Sequence, residues 1–339
     1  NYKKNKKNHK YINMIITKTP YRISFFGGGT DYPEWYKKYG GKFLSTTIDK
    51  YVYLTIRQLP SYSNPQYRIV WSKVETVSQI KNIKHNVVRE MLNIFKFKKG
   101  MEIHYQGDLP ARSGMGSSSS FVVGLMNSFY NLKNKKISRK ELAQKSIYFE
   151  QQTLKEIVGL QDQISATYGG FNKVEINKKG IFKIKKLNIN NQIKEFNKNL
   201  VLVFTGINRT ANEIAGQYVN NLKNKEYEMK EISSQVQEGE SLLLKSKFDD
   251  FGRLLHEGWK LKKSLGKVIT NKKIDDLYKF SLNNGALGGK ILGAGGGGFM
   301  LLYIPKNKRK TFKEKFKNTK VIPFKFSEGG SEIMMNNEY

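Results

Sequence analysis

The sequence lacks cysteine altogether and is poor in acidic residues. Its 339 residues include 28 Asp and Glu against 60 Lys and Arg. Because no thiol is present, disulfide bonds and thiolate metal sites are excluded, and the composition suits a reducing compartment. We therefore expect a cytoplasmic location.

Long apolar runs are missing as well. No segment approaches the ~20 apolar residues that a membrane-spanning helix needs, and the N-terminus has no secretory-signal pattern. Residues 1–13 (NYKKNKKNHKYIN) are basic and aperiodic, so we expect a disordered tail with the natural start at Met14. We expect no membrane partner.

The net charge of +32 has two explanations. A basic chain can bind nucleic acid, an anionic membrane surface or phosphorylated substrates. Alternatively, a composition rich in Lys and Asn covers every solvated face, and the scattered lysines favour this explanation. The sequence has no nucleic-acid-binding motif, and aromatic residues do not alternate with basic ones as in a stacking platform. We expect no nucleic-acid partner.

Short strands and helices alternate along the chain, which predicts an α+β fold. The length suits two domains, which we place over residues 14–195 and 196–339. A capping box at Ser138 predicts a helix that runs to about Ile157.

The segment LPARSGMGSSSS (Leu109–Ser120) leads into a helix predicted over Ser118–Asn131. Free N–H groups and the dipole at a helix N-terminus attract anions, and glycine lets the backbone approach a phosphate closely. The pattern is not a Walker P-loop. It is either a phosphate-binding loop of another type or an ordinary Ser-rich cap and turn.

Two further segments are rich in glycine. TPYRISFFGGGTDY (Thr19–Tyr32) sets three glycines before Asp31, which suits a polyhydroxylated ligand, although a hairpin turn capped by the Asp is the alternative. KILGAGGGGF (Lys290–Phe299) joins a helix to a strand and could close on phosphates.

Glu150 shares the apolar stripe of its predicted helix with Ala143, Ile147 and Leu154. A buried carboxylate is costly unless it is paired, hydrogen-bonded or bound to a metal. Glu150 is therefore either a Mg²⁺ ligand of the oxygen type or a residue at the edge of the stripe, paired with Arg or Lys.

Asp162 also has two interpretations. It either caps a short helix predicted over Gln163–Tyr168 or projects a buried carboxylate into a cleft.

Together the three glycine-rich segments resemble the three motifs of the GHMP kinase superfamily, in the same order and from Met14 essentially to the C-terminus. LPARSGMGSSSS is similar to its second motif, P-x-x-x-G-L-G-S-S-A-A. Met115 stands in place of the usual Leu, and Ser119 and Ser120 in place of two alanines. The resemblance implies an N-terminal mixed β/α domain with a left-handed β-α-β unit, a C-terminal ferredoxin-like domain, and an active site in the cleft between them.

The resemblance also implies how ATP and Mg²⁺ are bound. Ser118 and Glu150 match the magnesium ligands of the family. The positions implied to bind ATP are Gly114, Met115, Gly116, Ser117, Ser118 and Ser119, with Gly295 and Gly296 from the third segment.

The remaining implied positions belong to the sugar and the reaction. Asp162 matches the carboxylate that accepts the proton from, or orients, the attacking hydroxyl. Arg22 matches the basic residue that pairs with it and stabilises transferring charge. The sugar is expected at Gly28, Gly29, Thr30 and Asp31.

Within the superfamily, GGGTDYPEWY (Gly27–Tyr36) and the Ser-rich motif are most similar to sugar-1-kinases of D-glycero-D-manno-heptose 7-phosphate, whereas galactokinases have G-E-H-T-D-Y. The resemblance implies phosphorylation of the C1 hydroxyl for nucleotide-activated heptose synthesis, with Arg112, Arg209 and Lys290 as candidate partners of a substrate phosphate. The alternatives are a fucose- or galactose-type kinase and a non-catalytic sugar- or nucleotide-binding regulator.

Overall fold

The computed structural model describes residues 14–188, 191–208, 211–317 and 319–337. The expected tail over residues 1–13 and Arg209 lie outside these ranges. The strands are β1 Met14–Phe26, β2 Gly41–Gln58, β3 Tyr67–Val70, β4 Val74–Val77, β5 Met101–Gly107, β6 Phe171–Ile176, β7 Phe182–Leu187, β8 Leu200–Phe204, β9 Gly288–Ile291, β10 Phe299–Tyr303, β11 Val321–Ile322, β12 Phe326–Ser327 and β13 Glu332–Asn337. The α-helices are α1 Pro33–Tyr39, α2 Asn86–Phe95, α3 Ser117–Leu132, α4 Arg139–Tyr148, α5 Gln161–Tyr168, α6 Asn191–Lys198, α7 Ala211–Tyr218, α8 Glu226–Leu244, α9 Phe248–Ser264, α10 Lys272–Asn283 and α11 Arg309–Lys315.

The larger sheet is organised around the long strand β2. β1 pairs antiparallel with β2 along most of its length, while β6 and β5 pair with successive parts of its other edge. β3 runs parallel to β5, and β4 pairs antiparallel with β3. Alternate residues of β2, such as Leu54 and Ile56, are fully buried, because side chains of a strand point to opposite faces. Helices α3 and α5 pack on this buried face.

The smaller sheet has the strand order β11-β8-β10-β9, with antiparallel pairing throughout its described strands. In the chain, β8 is followed by helices, the β9–β10 hairpin, α11 and β11, which is the β-α-β-β-α-β order of a ferredoxin-like unit. The α+β class and the ferredoxin-like C-terminal half are thus confirmed. None of the helices in the described ranges has the length and apolar character needed to cross a membrane.

The end of the chain returns to the larger sheet. β13 pairs with the first half of β1, and β12 pairs with β2. A contiguous second domain over residues 196–339 therefore does not describe the structure. The physical reason is that the outer edge of β1 has unpaired backbone groups, and the last strand satisfies them.

The helix that begins after Ser138 is shorter than predicted. Its capping box is present, with Ser138 Oγ accepting from the backbone N–H of Glu141 at 3.2 Å. The α-helix ends at Tyr148, and a π-helical turn follows over Phe149–Thr153. The predicted end at Ile157 is wrong. A π-turn inserts one residue into the helical repeat and often marks a functional position, and here it carries Glu150.

Candidate active site

A cavity of about 500 Å³ lies between the two halves of the chain. The larger sheet contributes the end of β1, the turn after it, the Ser-rich loop and the start of α5. The C-terminal half contributes α7, α9, β9 and the glycine-rich segment after β9. The two halves are joined at this point, because Phe299 N donates to the carbonyl of Ser113 at 3.1 Å.

The Ser-rich loop forms one end of the cavity. Gly116 has a φ of 77° at the N-cap of α3, a left-handed conformation that favours glycine. Ser117, Ser118 and Ser119 follow in the first turn and line the cavity. First-turn N–H groups have no intrahelical partner, so this end presents hydroxyl and N–H donors to an anion. Met115 is fully buried and does not line the cavity among the described residues. Its backbone carbonyl accepts a hydrogen bond from Arg22 N of β1 at 3.1 Å.

Arg22 and Asp162 form a bidentate ion pair beside this loop. Arg22 Nε donates to Asp162 Oδ1 at 2.8 Å, and Nη2 donates to Oδ2 at 2.9 Å. Arg22 Nη1 donates to the carbonyl of Gly114 at 2.7 Å, which ties the pair to the Ser-rich loop. Both residues line the cavity, and Asp162 is the more exposed member, with 29% of its side chain exposed against 6% for Arg22.

Asp162 does not cap a helix. Helix α5 begins at Gln161 with Leu160 at the N-cap position, so Asp162 lies within the first turn. The N-cap alternative is therefore wrong. The helix dipole stabilises a carboxylate in the first turn, and the side chain of Asp162 bonds to Arg22 instead of capping the helix.

The turn after β1 also lines the cavity, through Gly28, Gly29 and Asp31. Asp31 Oδ1 accepts from Gly29 N at 3.1 Å, and Oδ2 accepts from Gln161 N at 3.0 Å. Burial raises the pKa of the Asp31 carboxyl above its ordinary value. This carboxylate is thus fixed by two backbone donors while it faces the cavity.

Thr30 has a different position from the one expected. It is fully buried and does not line the cavity among the described residues. Its Oγ1 lies 2.8 Å from the carbonyl of Gly27 and 2.7 Å from that of Lys42, and it accepts from Lys42 N at 3.0 Å. Thr30 therefore closes the turn rather than contacting a ligand.

Replacing Gly159 with Ala is expected to displace Asp31. A Cβ at this position would lie 1.9 Å from Asp31 Oδ2, so the carboxylate must leave its bond to Gln161 N. We expect KM for the sugar to rise roughly 10- to 100-fold, as for other small displacements of positioning groups, with KM for ATP unchanged. Steady-state kinetics test this, with Gly216→Ala as the control, since its Cβ would meet only an ordinary 3.4 Å contact. An unchanged sugar KM would contradict the expectation.

Glu150 is fully buried behind the Ser-rich loop and does not appear in the lining of the cavity. Both carboxylate oxygens accept from the hydroxyl of Ser119, at 3.0 and 2.9 Å, and Gln163 Nε2 also donates to the carboxylate. The hydroxyl that meets Glu150 thus belongs to Ser119, one of the two serines that replace alanines of the family motif. Ser118 is exposed to the cavity instead. Within the described chain no Lys or Arg pairs with Glu150, so the ion-pair alternative is not observed.

These groups suit Mg²⁺ chemically. The carboxylate of Glu150 has neutral partners, and the neighbouring Gln163 Oε1 is buried without a hydrogen-bond partner. Oxygen donors of this kind are what Mg²⁺ takes, usually from one or two side chains together with substrate phosphates. The described residues contain no cluster of three or more acidic, His or Cys side chains, so phosphate oxygens would have to complete the coordination.

Glu150 is expected to make the ligand-free protein less stable as the pH rises. Burial raises the pKa of Glu150 from its ordinary 4.5 to about 8. A raised folded-state pKa means that stability is fully present below pH 4.5 and is lost as the pH approaches 8, by on the order of 4 kcal/mol.

Urea unfolding at pH 5 and pH 8 of the wild type and of Glu150→Gln measures this effect. The wild type should lose free energy of unfolding relative to the variant at pH 8, whereas the exposed control Glu314→Gln should follow the wild type. A constant difference between wild type and Glu150→Gln at both pH values would refute it.

The third glycine-rich segment is only partly turned toward the cavity. Gly295 lines it, whereas the N–H of Gly296 donates to the carbonyl of Ile269 at 2.8 Å and Gly296 is not in the lining. Arg112 and Lys290, both expected partners of a substrate phosphate, line the cavity.

The lining also contains residues that were not foreseen, among them Tyr32, Glu156, Tyr218 and Lys262. Lys262 carried a usable signal. It follows Trp259 by three residues and precedes Leu265 by three, so a lysine lies on the apolar stripe of α9. The same reasoning that singled out Glu150 applies to it.

The comparisons with known proteins agree with this geometry. Residues 81–170 match the GHMP kinases N terminal domain, and residues 240–321 match the GHMP kinases C terminal domain. The D-glycero-alpha-D-manno-heptose 7-phosphate kinase of Campylobacter jejuni is 29% identical over 88% of this chain and 91% of its own length. The bifunctional fucokinase/GDP-fucose pyrophosphorylase of Arabidopsis thaliana is 26% identical over 84% of this chain and 29% of its own length.

A solved structure supports the same fold. The D-glycero-D-manno-heptose 1-phosphate kinase from Bacteroides thetaiotaomicron superposes with a TM-score of 0.78 at 23% identity, covering 96% of this chain and 99% of that one. The chain belongs to the GHMP kinase family. Its family consists of kinases, with ATP as the phosphate donor.

Proposed function

We propose that the protein transfers the γ-phosphoryl group of ATP to the C1 hydroxyl of D-glycero-D-manno-heptose 7-phosphate and so forms the 1,7-bisphosphate for nucleotide-activated heptose synthesis. The relative from Campylobacter jejuni supports this acceptor by its name. The observation that carries the proposal is the Arg22–Asp162 pair, which lies between a loop suited to phosphates and a turn suited to a sugar.

The nucleotide end is assigned to the Ser-rich loop. The N-terminus of α3 and the hydroxyls of Ser117 and Ser118 would hold the triphosphate. Glu150 and Ser118 would hold Mg²⁺, with Ser119 keeping the Glu150 carboxylate in place. When bound, Mg²⁺ would neutralise charge on the β- and γ-phosphates.

The reaction is assigned to Asp162 and Arg22. Asp162 would accept the proton of the C1 hydroxyl as that oxygen bonds to the γ-phosphorus, while the bond from this phosphorus to the bridging oxygen breaks and ADP leaves. Arg22 holds both carboxylate oxygens of Asp162, which fixes the direction of the base. Asp31, with its backbone donors, would accept hydrogen bonds from the sugar hydroxyls.

The test is a coupled ADP-release assay on a panel of acceptors, with the product identified by ³¹P NMR. The panel contains heptose 7-phosphate, heptose 1-phosphate, unphosphorylated heptose, L-fucose and D-galactose. We expect the highest kcat/KM for heptose 7-phosphate and a new anomeric phosphate signal. The Arabidopsis relative makes L-fucose a competing acceptor. A higher kcat/KM for L-fucose than for heptose 7-phosphate would overturn the proposed acceptor. Nucleotide binding without turnover of any acceptor would favour a regulator.

A further inference from the structure

Two lysines reach the cavity from separate elements of the C-terminal half. Lys262 lies on α9 and Lys290 on β9, and both line the main cavity. They also border a small adjoining hollow together with Gly27 and Gly28. Two lysine side chains thus meet beside the turn after β1.

Both ammonium groups are held by backbone carbonyls alone. Lys290 is 7% exposed, and its Nζ donates to the carbonyl of Phe25 at 2.8 Å. Lys262 Nζ donates to the carbonyl of Ile291 at 3.2 Å and to that of Gly293. An ammonium group has three protons to donate, so each lysine retains at least one for a ligand.

The lysines have no anionic partner in the chain as described, since none of its ion pairs involves them. A buried cation is costly unless a counter-charge compensates it. Burial lowers the pKa of Lys290 to about 7, with the charge of Arg22 as a further cause. Burial, with the charges of Lys290 and Arg22, lowers the pKa of Lys262 well below its ordinary value. Because the ammonium groups of Lys262 and Lys290 both lack a counter-charge among the described residues, this wall of the cavity favours an anion with two negative charges.

Lys290 lies beside the turn after β1, whereas Lys262 also reaches the third glycine-rich segment, where its partner Gly293 packs against Gly114 of the Ser-rich loop. Lys290 bonds to Phe25 O, two residues before the Gly27–Gly29 turn, and the adjoining hollow has no described lining residue from the Ser-rich loop. We propose that Lys262 and Lys290 form the subsite for the phosphate that the acceptor already carries, and that they select a sugar phosphate over a free sugar. This inference rests on the proposed function.

The test compares phosphorylated and unphosphorylated acceptors on charge-removing variants. Lys262→Met and Lys290→Met should each raise KM for heptose 7-phosphate roughly 10- to 100-fold, the size expected for charge-assisted hydrogen bonds. KM for ATP should stay within about twofold of wild type, and kcat/KM for unphosphorylated heptose should be unchanged. Lys290→Arg keeps the charge and should recover part of the loss.

Lys260→Met is the matched control, because this exposed lysine of α9 pairs with Glu257 at 3.0 Å. Thermal unfolding monitors folding, and the Met variants should be as stable as wild type or more stable, since each removes an uncompensated cation. If one Met variant does not fold, the other supplies the result, because the two lysines lie on different elements.

Two outcomes would overturn the subsite. One is an equal loss on phosphorylated and free heptose, and the other is a raised KM for ATP, which would place the lysines at the nucleotide phosphates. Failure of the proposed function itself is recognised separately, because the wild type would then not prefer heptose 7-phosphate in the acceptor panel.

Discussion

Asp162→Asn is expected to lower kcat by at least roughly two orders of magnitude, the range of general-base contributions. The amide keeps the size of the side chain but cannot take the proton of the attacking hydroxyl, and it offers Arg22 one acceptor oxygen instead of two. Because both substrates still find their own contacts, KM for ATP and for the sugar should change little. Single-turnover and steady-state kinetics on the same preparation measure the effect.

The control for this variant is Asp276→Asn, which changes an exposed carboxylate on α10. Its kinetics should match those of wild type. Near-normal turnover of a folded Asp162→Asn protein would remove Asp162 from the proposed chemistry.

Arg22→Met is expected to reduce kcat roughly 100- to 1000-fold, because three hydrogen bonds disappear together. Two of them fix the Asp162 carboxylate, and the third joins the pair to the carbonyl of Gly114 in the Ser-rich loop. Misplacement of a base by about an ångström is enough for losses of this order. Arg22→Lys should recover only a minor part, since an ammonium group cannot reproduce the two-pronged geometry of a guanidinium.

The matched control for Arg22 is Arg253→Met, which removes an exposed arginine paired with Asp250 on the same helical turn. Circular dichroism and thermal unfolding verify that the Arg22 variants are folded. Full activity of Arg22→Lys would show that charge alone, and not the orientation of Asp162, is what Arg22 supplies.

The local features of the site followed closely from sequence. The loop before α3, the turn after β1 and the capping box at Ser138 depend on residues a few positions apart, so short motifs carry them. The helix predicted over Ser118–Asn131 agrees with Ser117–Leu132 for the same reason. The predicted helix end was wrong where the helical repeat is interrupted, at the π-turn that carries Glu150.

The contacts between distant segments could not be derived in this way. The bond from Ser119 to Glu150 depends on how α3 packs against the π-turn, and a local pattern does not encode that register. Thr30 illustrates the converse, because a residue expected to contact the sugar instead closes the turn through Lys42. Neighbours in sequence can face opposite ways, and packing decides which one meets a ligand.

By itself the sequence determined the α+β class, the glycine-rich turns, the Ser-rich loop that leads into a helix and the resemblance to GHMP kinases. All of these depend on local periodicity and turn chemistry. Only the tertiary structure decided that β13 completes the edge of β1 and that Lys262 and Lys290 meet beside Gly28. The physical reason is that such meetings depend on how the two sheets and their helices pack together, and packing brings together residues that no short pattern connects.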